Sequence, residues 1–160
     1  MAIDFELKQE ELNLNFSIGS AEQIYLLPVG YRKSPDSTSY SESSISFIKG
    51  LKKRVPATFI SSPESLVELR DANWFGPILL ITAQVYSQNP DICQFIIDSV
   101  RDSLSGLIDR QNKARINLEL VCETKADSRM VSVKYEGDEA NLDKLLATFR
   151  SVMDNEQKNN

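Results

Sequence analysis

The sequence predicts an α+β fold: N-terminal antiparallel strands, central helices, and a C-terminal β-hairpin followed by a helix. Three observations predict it. Apolar residues alternate at period two near both ends of the chain. They recur at helical spacing in the middle and again at the end. The strand-like stretches precede or follow the helical ones in blocks instead of alternating with them, which separates α+β from a parallel α/β sheet. The chain has 160 residues, 41% hydrophobic and 26% charged, enough to bury a core without disulfide or metal staples. The expected organisation is one domain over residues 1–153, with a polar, mobile connection at 32–44 and a disordered tail at 154–160.

In order, the run AIDFELK alternates through Ile3, Phe5 and Leu7. LNLNFSI does the same through Leu12, Leu14, Phe16 and Ile18. Two strands joined by a turn at QEE are expected. QIYLLPV reads as a third extended piece ending at Pro28. The stretch SPDSTSYSESS, Ser34 to Ser44, has no apolar period. It reads as a solvated connection whose lone aromatic, Tyr40, anchors on a surface groove or a partner. ISFIKGLKKR resumes a helix, closed by Pro56, and ATFI follows as a brief strand. In residues 62–76, Ser62 as cap and Pro63 at the first position predict a second helix. The apolar run ILLITAQVYSQ is read as helical from the shared face of Ile78, Ile81, Thr82, Val85 and Tyr86. Residues 89–112 predict a long amphipathic helix, capped by Asn89, with Ile92, Phe95, Ile96, Val100, Leu104, Leu107 and Ile108 inward. RINLELVCE and MVSVKYEG form the hairpin. The last helix is capped by Asp138 and turns Leu142, Leu145, Leu146, Phe149 and Val152 inward.

The chemistry is defined as much by missing residues as by present ones. The chain contains no histidine, so a Ser-His-Asp or Cys-His set cannot be built within it. Cys93 and Cys122 are too far apart in sequence for a C-x-x-C pair and sit among apolar neighbours, as buried free thiols do. A disulfide between them remains the alternative. Ser46 and Lys49 spell S-x-x-K, a spacing at which a lysine on the same helix face could activate the hydroxyl. The ordinary reading is a solvated helical turn. Asp98 with Asp102, and Glu64 with Glu68, stand one helical turn apart, as two ligands of a divalent cation would. No calcium loop, phosphate loop or dinucleotide fingerprint accompanies them, and a solvated face accounts for both pairs. No catalytic, metal or cofactor residues are assigned, and no cofactor is expected.

The net charge of −5 argues against nucleic-acid binding, despite the basic run KGLKKR at 49–54. No apolar run is long enough to span a bilayer, and no export signal is seen, so a cytoplasmic protein is expected. The order of elements in the second half, with QNP before the long helix and YEGD before the last, loosely resembles small bacterial accessory proteins of conflict or defence loci. That resemblance implies no residue role. The expected function is a non-catalytic protein-interaction module, binding a protein partner or itself. The alternatives are a small serine-lysine hydrolase or transferase using Ser46 and Lys49, and an acidic immunity or antitoxin-like protein steered to a basic partner.

Overall fold

The structure, a computed structural model, describes residues 5–13, 16, 18–34, 36–67, 74–105, 115–124 and 129–154. The expected roles of Ile3, Leu14, Leu107 and Ile108, and residues 68–73, 125–128 and 155–160, lie outside the described residues. The fold is α+β, as the patterning predicts. Eight strands are described: β1 (Phe5–Leu12), β2 (Ile24–Leu27), β3 (Ser39–Ser41), β4 (Ala57–Phe59), β5 (Ser65–Val67), β6 (Trp74–Ile81), β7 (Ile116–Glu123) and β8 (Met130–Gly137). The helices are α1 (Ser43–Leu51), α2 (Ala83–Gln88), α3 (Ile92–Ser105) and α4 (Leu142–Met153), the last preceded by a 3-10 turn at Glu139–Asn141.

Six strands form one sheet in the order β1-β8-β7-β6-β2-β4, while β3 and β5 pair in parallel as a separate ribbon. The pairs β1/β8, β8/β7 and β6/β2 are antiparallel; β7/β6 and β2/β4 are parallel. The main core lies where α1, α3 and α4 cover one face. Phe47, Leu51, Ile96, Val100, Leu145 and Phe149 meet Leu26, Leu79, Leu118, Leu120 and Val133 there, all at most 3% exposed. Each such side chain contributes about 1.5–3 kcal/mol by leaving water. On α3 the buried stripe is Ile92, Cys93, Ile96, Ile97, Val100 and Leu104, and Phe95 is only half-buried at its rim. Tyr86 packs edge-on to Phe149, with ring centroids 5.6 Å apart. A smaller cluster on the opposite face joins Tyr25, Leu27, Tyr31, Leu80 and Val121 to Leu12, Phe16 and Ile18.

Several expectations are corrected. The chain does not turn at QEE: β1 runs straight through it, Phe5 opposite Gly137 to Leu12 opposite Met130. The apolar residues change from odd to even positions because they change face. Phe5 and Leu7 pack under the helices, whereas Leu12, Phe16 and Ile18 pack on the other side. The ILLI run is the end of β6, not a helix. It lies between β7 and β2 with Leu79, Leu80 and Ile81 fully buried, so a continuous apolar run serves both faces of a central strand. The helix starts only at Thr82, whose hydroxyl accepts from Val85 N at 3.1 Å.

The helix expected over 62–76 is replaced at Ser65–Val67 by β5, and Trp74 already belongs to β6. The backbone there pairs with the chain at 38–41: Glu64 N donates to Thr38 O at 2.9 Å, and Leu66 lies opposite Tyr40. Non-local pairing outweighs the local Ser-Pro start signal. The same pairing places a strand, β3, inside the polar 34–44 stretch. Tyr40 there is fully buried against Phe59. The expected cap of the long helix moves as well. Asn89 closes α2, Pro90 and Asp91 form a turn, and α3 begins at Ile92. The C-terminal hairpin and final helix follow the sequence, with Asp138 accepting from Asn141 N at 3.1 Å. Asp154, assigned by sequence to the tail, accepts from the Tyr86 hydroxyl at 3.1 Å.

Candidate functional site

The helices leave the other face of β1, β8 and β7 free; one end of it carries the smaller apolar cluster with Leu12, Met130 and Val121, and the rest is built of charge. Alternation puts Glu6, Lys8 and Glu10 of β1 on it. Lys134, Glu136 and Ser132 of β8, and Asn117 and Glu119 of β7, complete it. A short turn folds over its centre. Tyr31 N donates to Pro28 O at 3.2 Å, and Gly30 between them has φ +75°, the left-handed conformation that position three of such a turn requires.

The turn delivers Tyr31 and Arg32 to Glu119. One oxygen of Glu119, Oε2, accepts from the Tyr31 hydroxyl at 2.6 Å, from Ser132 Oγ at 2.7 Å and from Arg32 Nη2 at 3.2 Å. Arg32 also donates to Glu10 Oε1 at 2.7 Å and to Ser132 Oγ at 3.1 Å. Burial, and then the hydrogen bond to Glu119, push the pKa of the Tyr31 phenol well above its ordinary value. It therefore stays protonated and acts as a donor, not as a base. This cluster clamps the turn to three strands at once, and each partner in it is accounted for structurally.

Beside the clamp, β1, β8 and β7 floor an open cavity of about 400 Å³. Its two ends differ. Leu27, Val29 and Ile78 make one wall apolar. Glu6, Lys8, Lys134 and Glu136 make the other charged, in two like-signed rows: Glu6 lies directly opposite Glu136, and Lys8 directly opposite Lys134. Like charges facing each other across a ladder are unfavourable. The acids are relieved sideways: Lys8 Nζ is 3.4 Å from Glu6, and Arg115 Nε is 3.4 Å from Glu136. For Lys134 no ion pair or hydrogen bond of the ammonium is recorded among the described residues. Asn117 Nδ2 is buried in the wall with no hydrogen-bond partner among the described residues. Around the cavity and its rim, four carboxylates (Glu6, Glu10, Glu119, Glu136) face four cations (Lys8, Arg32, Arg115, Lys134), so the site is neutral.

β1 is also an edge. Its eight residues pair with β8, and no strand pairs with its outer side among the described residues. The strands of the C-terminal hairpin, β7 and β8, are both interior.

The residues singled out from sequence lie elsewhere. Ser46 and Lys49 are exposed on α1, and the Ser46 hydroxyl donates to Ser43 O at 3.3 Å. Asp98 accepts from Gln94 at 3.0 Å and Asp102 from Arg54 at 3.1 Å, so the two acids serve different partners. Arg101, between them in sequence, faces Glu139 and Asp143. Arg54 uses the basic run to dock α1 on α3. Glu64 sits in extended chain, and Glu68 lies outside the described residues. Cys93 and Cys122 are free and buried; burial pushes the Cys93 thiol up to about 12 and raises Cys122 as well. Among the described residues no group of three or more possible metal ligands occurs, and no helix is long and apolar enough to cross a membrane. Sequence reasoning missed Tyr31, Arg32, Glu119 and the two charged rows. Their signal is the run of charges at every second position of FELKQEEL and again in VKYEG.

Comparison with known protein families, characterised proteins and solved structures finds no match to this chain.

Proposed function

We propose that this chain is a non-catalytic protein-interaction module that accepts a strand from a protein partner, or from a second copy of itself, along the outer side of β1. The observation that carries the reading is the open edge of β1, eight residues long. A strand edge of that length presents backbone donors and acceptors ready to continue the ladder. Its side chains set the chemistry of the guest. Glu6, Glu10 and Glu11 already pair with Lys8, Arg32 and Arg129, so β1 presents a charge-balanced edge that favours a guest strand of mixed charge. A place among bacterial conflict or defence proteins rests on likeness of element order alone.

Hydrogen exchange tests the reading. The protein is followed by sedimentation over rising concentration and with any partner recovered from its native cell. Amides of β1 should gain protection on association. Association that leaves β1 exchange unchanged sinks the proposal, as does a protein that stays monomeric and recovers no partner. Salt separates the modes: charge-steered capture weakens as ionic strength rises, whereas backbone pairing with apolar contact holds.

A further inference from the structure

We propose that the cavity on the open sheet face binds a small zwitterion of dipeptide length, with its amino group between Glu6 and Glu136 and its carboxylate between Lys8 and Lys134. The proposal goes beyond strand addition at β1, and neither result decides the other. It starts from the two like-signed rows. Glu6 faces Glu136 and Lys8 faces Lys134 across the β1/β8 ladder, and these repulsions are offset only from the side, by Lys8 on Glu6, Arg115 on Glu136 and Glu119 opposite Lys134. A ligand with two opposite charges converts both repulsions into attractions at once.

The spacing selects its length. The backbones of the rows are two residues apart along the strands, about 7 Å, and the charged ends of Lys8 and Glu6, 3.4 Å apart in the free chain, part to that spacing when a ligand enters. Two extended peptide residues span about 7 Å, so the termini of a dipeptide reach both rows. A single α-amino acid carries both charges on one Cα and reaches only one. Overall neutrality excludes the simpler choices. A mono-anion at the lysines or a mono-cation at the glutamates meets the opposite row uncompensated, and the acids and bases balance only when Glu10, Arg32 and Arg115 at the rim are counted with the cavity. Glu119, the carboxylate nearest the lysine row in register, is already held by Tyr31, Ser132 and Arg32.

Two further features fit the middle of such a ligand. Asn117 Nδ2 is a covered donor with no partner among the described residues, a costly state that a peptide carbonyl in the cavity relieves. Leu27, Val29 and Ile78 offer an apolar wall to a side chain. Entry displaces little, because the Lys8–Glu6 and Arg115–Glu136 pairs are largely exposed and weak.

The test is an NMR titration of the isotope-labelled full chain with L-alanyl-L-leucine. Saturable shifts are expected at amides of β1, β7 and β8 around the cavity. N-acetyl-alanyl-leucine, which lacks the cation, and alanyl-leucinamide, which lacks the anion, should each bind at least about tenfold more weakly. Lys134→Gln and Glu136→Gln change exposed side chains, so both variants should fold, with unchanged circular dichroism, yet bind at least about tenfold more weakly. No saturable shift up to about 10 mM overturns the proposal. So does equal binding of the capped peptides, or wild-type binding by both folded variants.

Discussion

Replacing Tyr40 tests whether the polar stretch around it is an integral part of the fold. Its ring is fully buried and meets Phe59 edge-on, with centroids 4.8 Å apart. Its hydroxyl donates to Ser61 O at 2.8 Å and accepts from Ser61 N at 3.1 Å. Tyr40→Phe removes only the hydroxyl and leaves both Ser61 backbone groups short of a partner, which should cost about 1–3 kcal/mol. Tyr40→Ala removes the ring as well, and a cavity of that size should cost about 3–5 kcal/mol. Urea unfolding followed by circular dichroism reads both; the melting temperature should fall by about 2–4 °C for each kcal/mol. Limited proteolysis adds a local readout, since the 34–44 chain should be cut faster in Tyr40→Ala than in the parent. If Tyr40→Ala costs less than about 1 kcal/mol, the ring does not hold this segment and the reasoning fails.

Three further outcomes are expected. Ile96→Ala should cost about 2–5 kcal/mol, and more than Phe95→Ala, because Ile96 is fully buried while Phe95 lies at the rim; the reverse order by chemical denaturation would place the α3 stripe differently. Glu119→Ala should cost about 2–3 kcal/mol, since Tyr31, Ser132 and Arg32 lose their shared acceptor, and Glu119→Gln should cost less; an unchanged urea midpoint in Glu119→Ala would show that the clamp is decorative. The buried thiols set an alkaline limit. Cys93 and Cys122 are raised above their ordinary 9.0 by burial, so above that pH the unfolded chain sheds protons that the native state keeps. Stability should hold below about pH 9 and fall as pH rises from there towards about 12, by up to about 1.4 kcal/mol per pH unit for each thiol. Urea midpoints measured from neutral to alkaline pH check this, and a flat profile contradicts it.

The parts of this fold that were legible in the sequence are those whose pairing is local or whose apolar face is single. RINLELVCE and MVSVKYEG pair with each other across a short connection, so their alternation alone defines the hairpin. The last helix buries one stripe and declares it at Leu142, Leu145 and Phe149. What stayed hidden is non-local. β5 exists because residues 65–67 find the 39–41 chain, and nothing within SLV or SYS announces the other. β6 hid for the opposite reason: buried on both faces, its ILLI run lost the period that tells strand from helix. At β1 the change of apolar parity between Leu7 and Leu12 was visible, but a turn and a change of face give the same pattern. Only the partner strand, continuous over all eight residues, separates them. The candidate site shares this origin. Glu6 gains meaning from Glu136, Lys8 from Lys134 and Glu119 from Arg32, each met across the sheet or over it. A motif search reads residues at fixed distances along the chain. A site assembled from the registers of three strands and one turn has no such distance, and its trace in the sequence is only charge at alternate positions of strands that face water on one side.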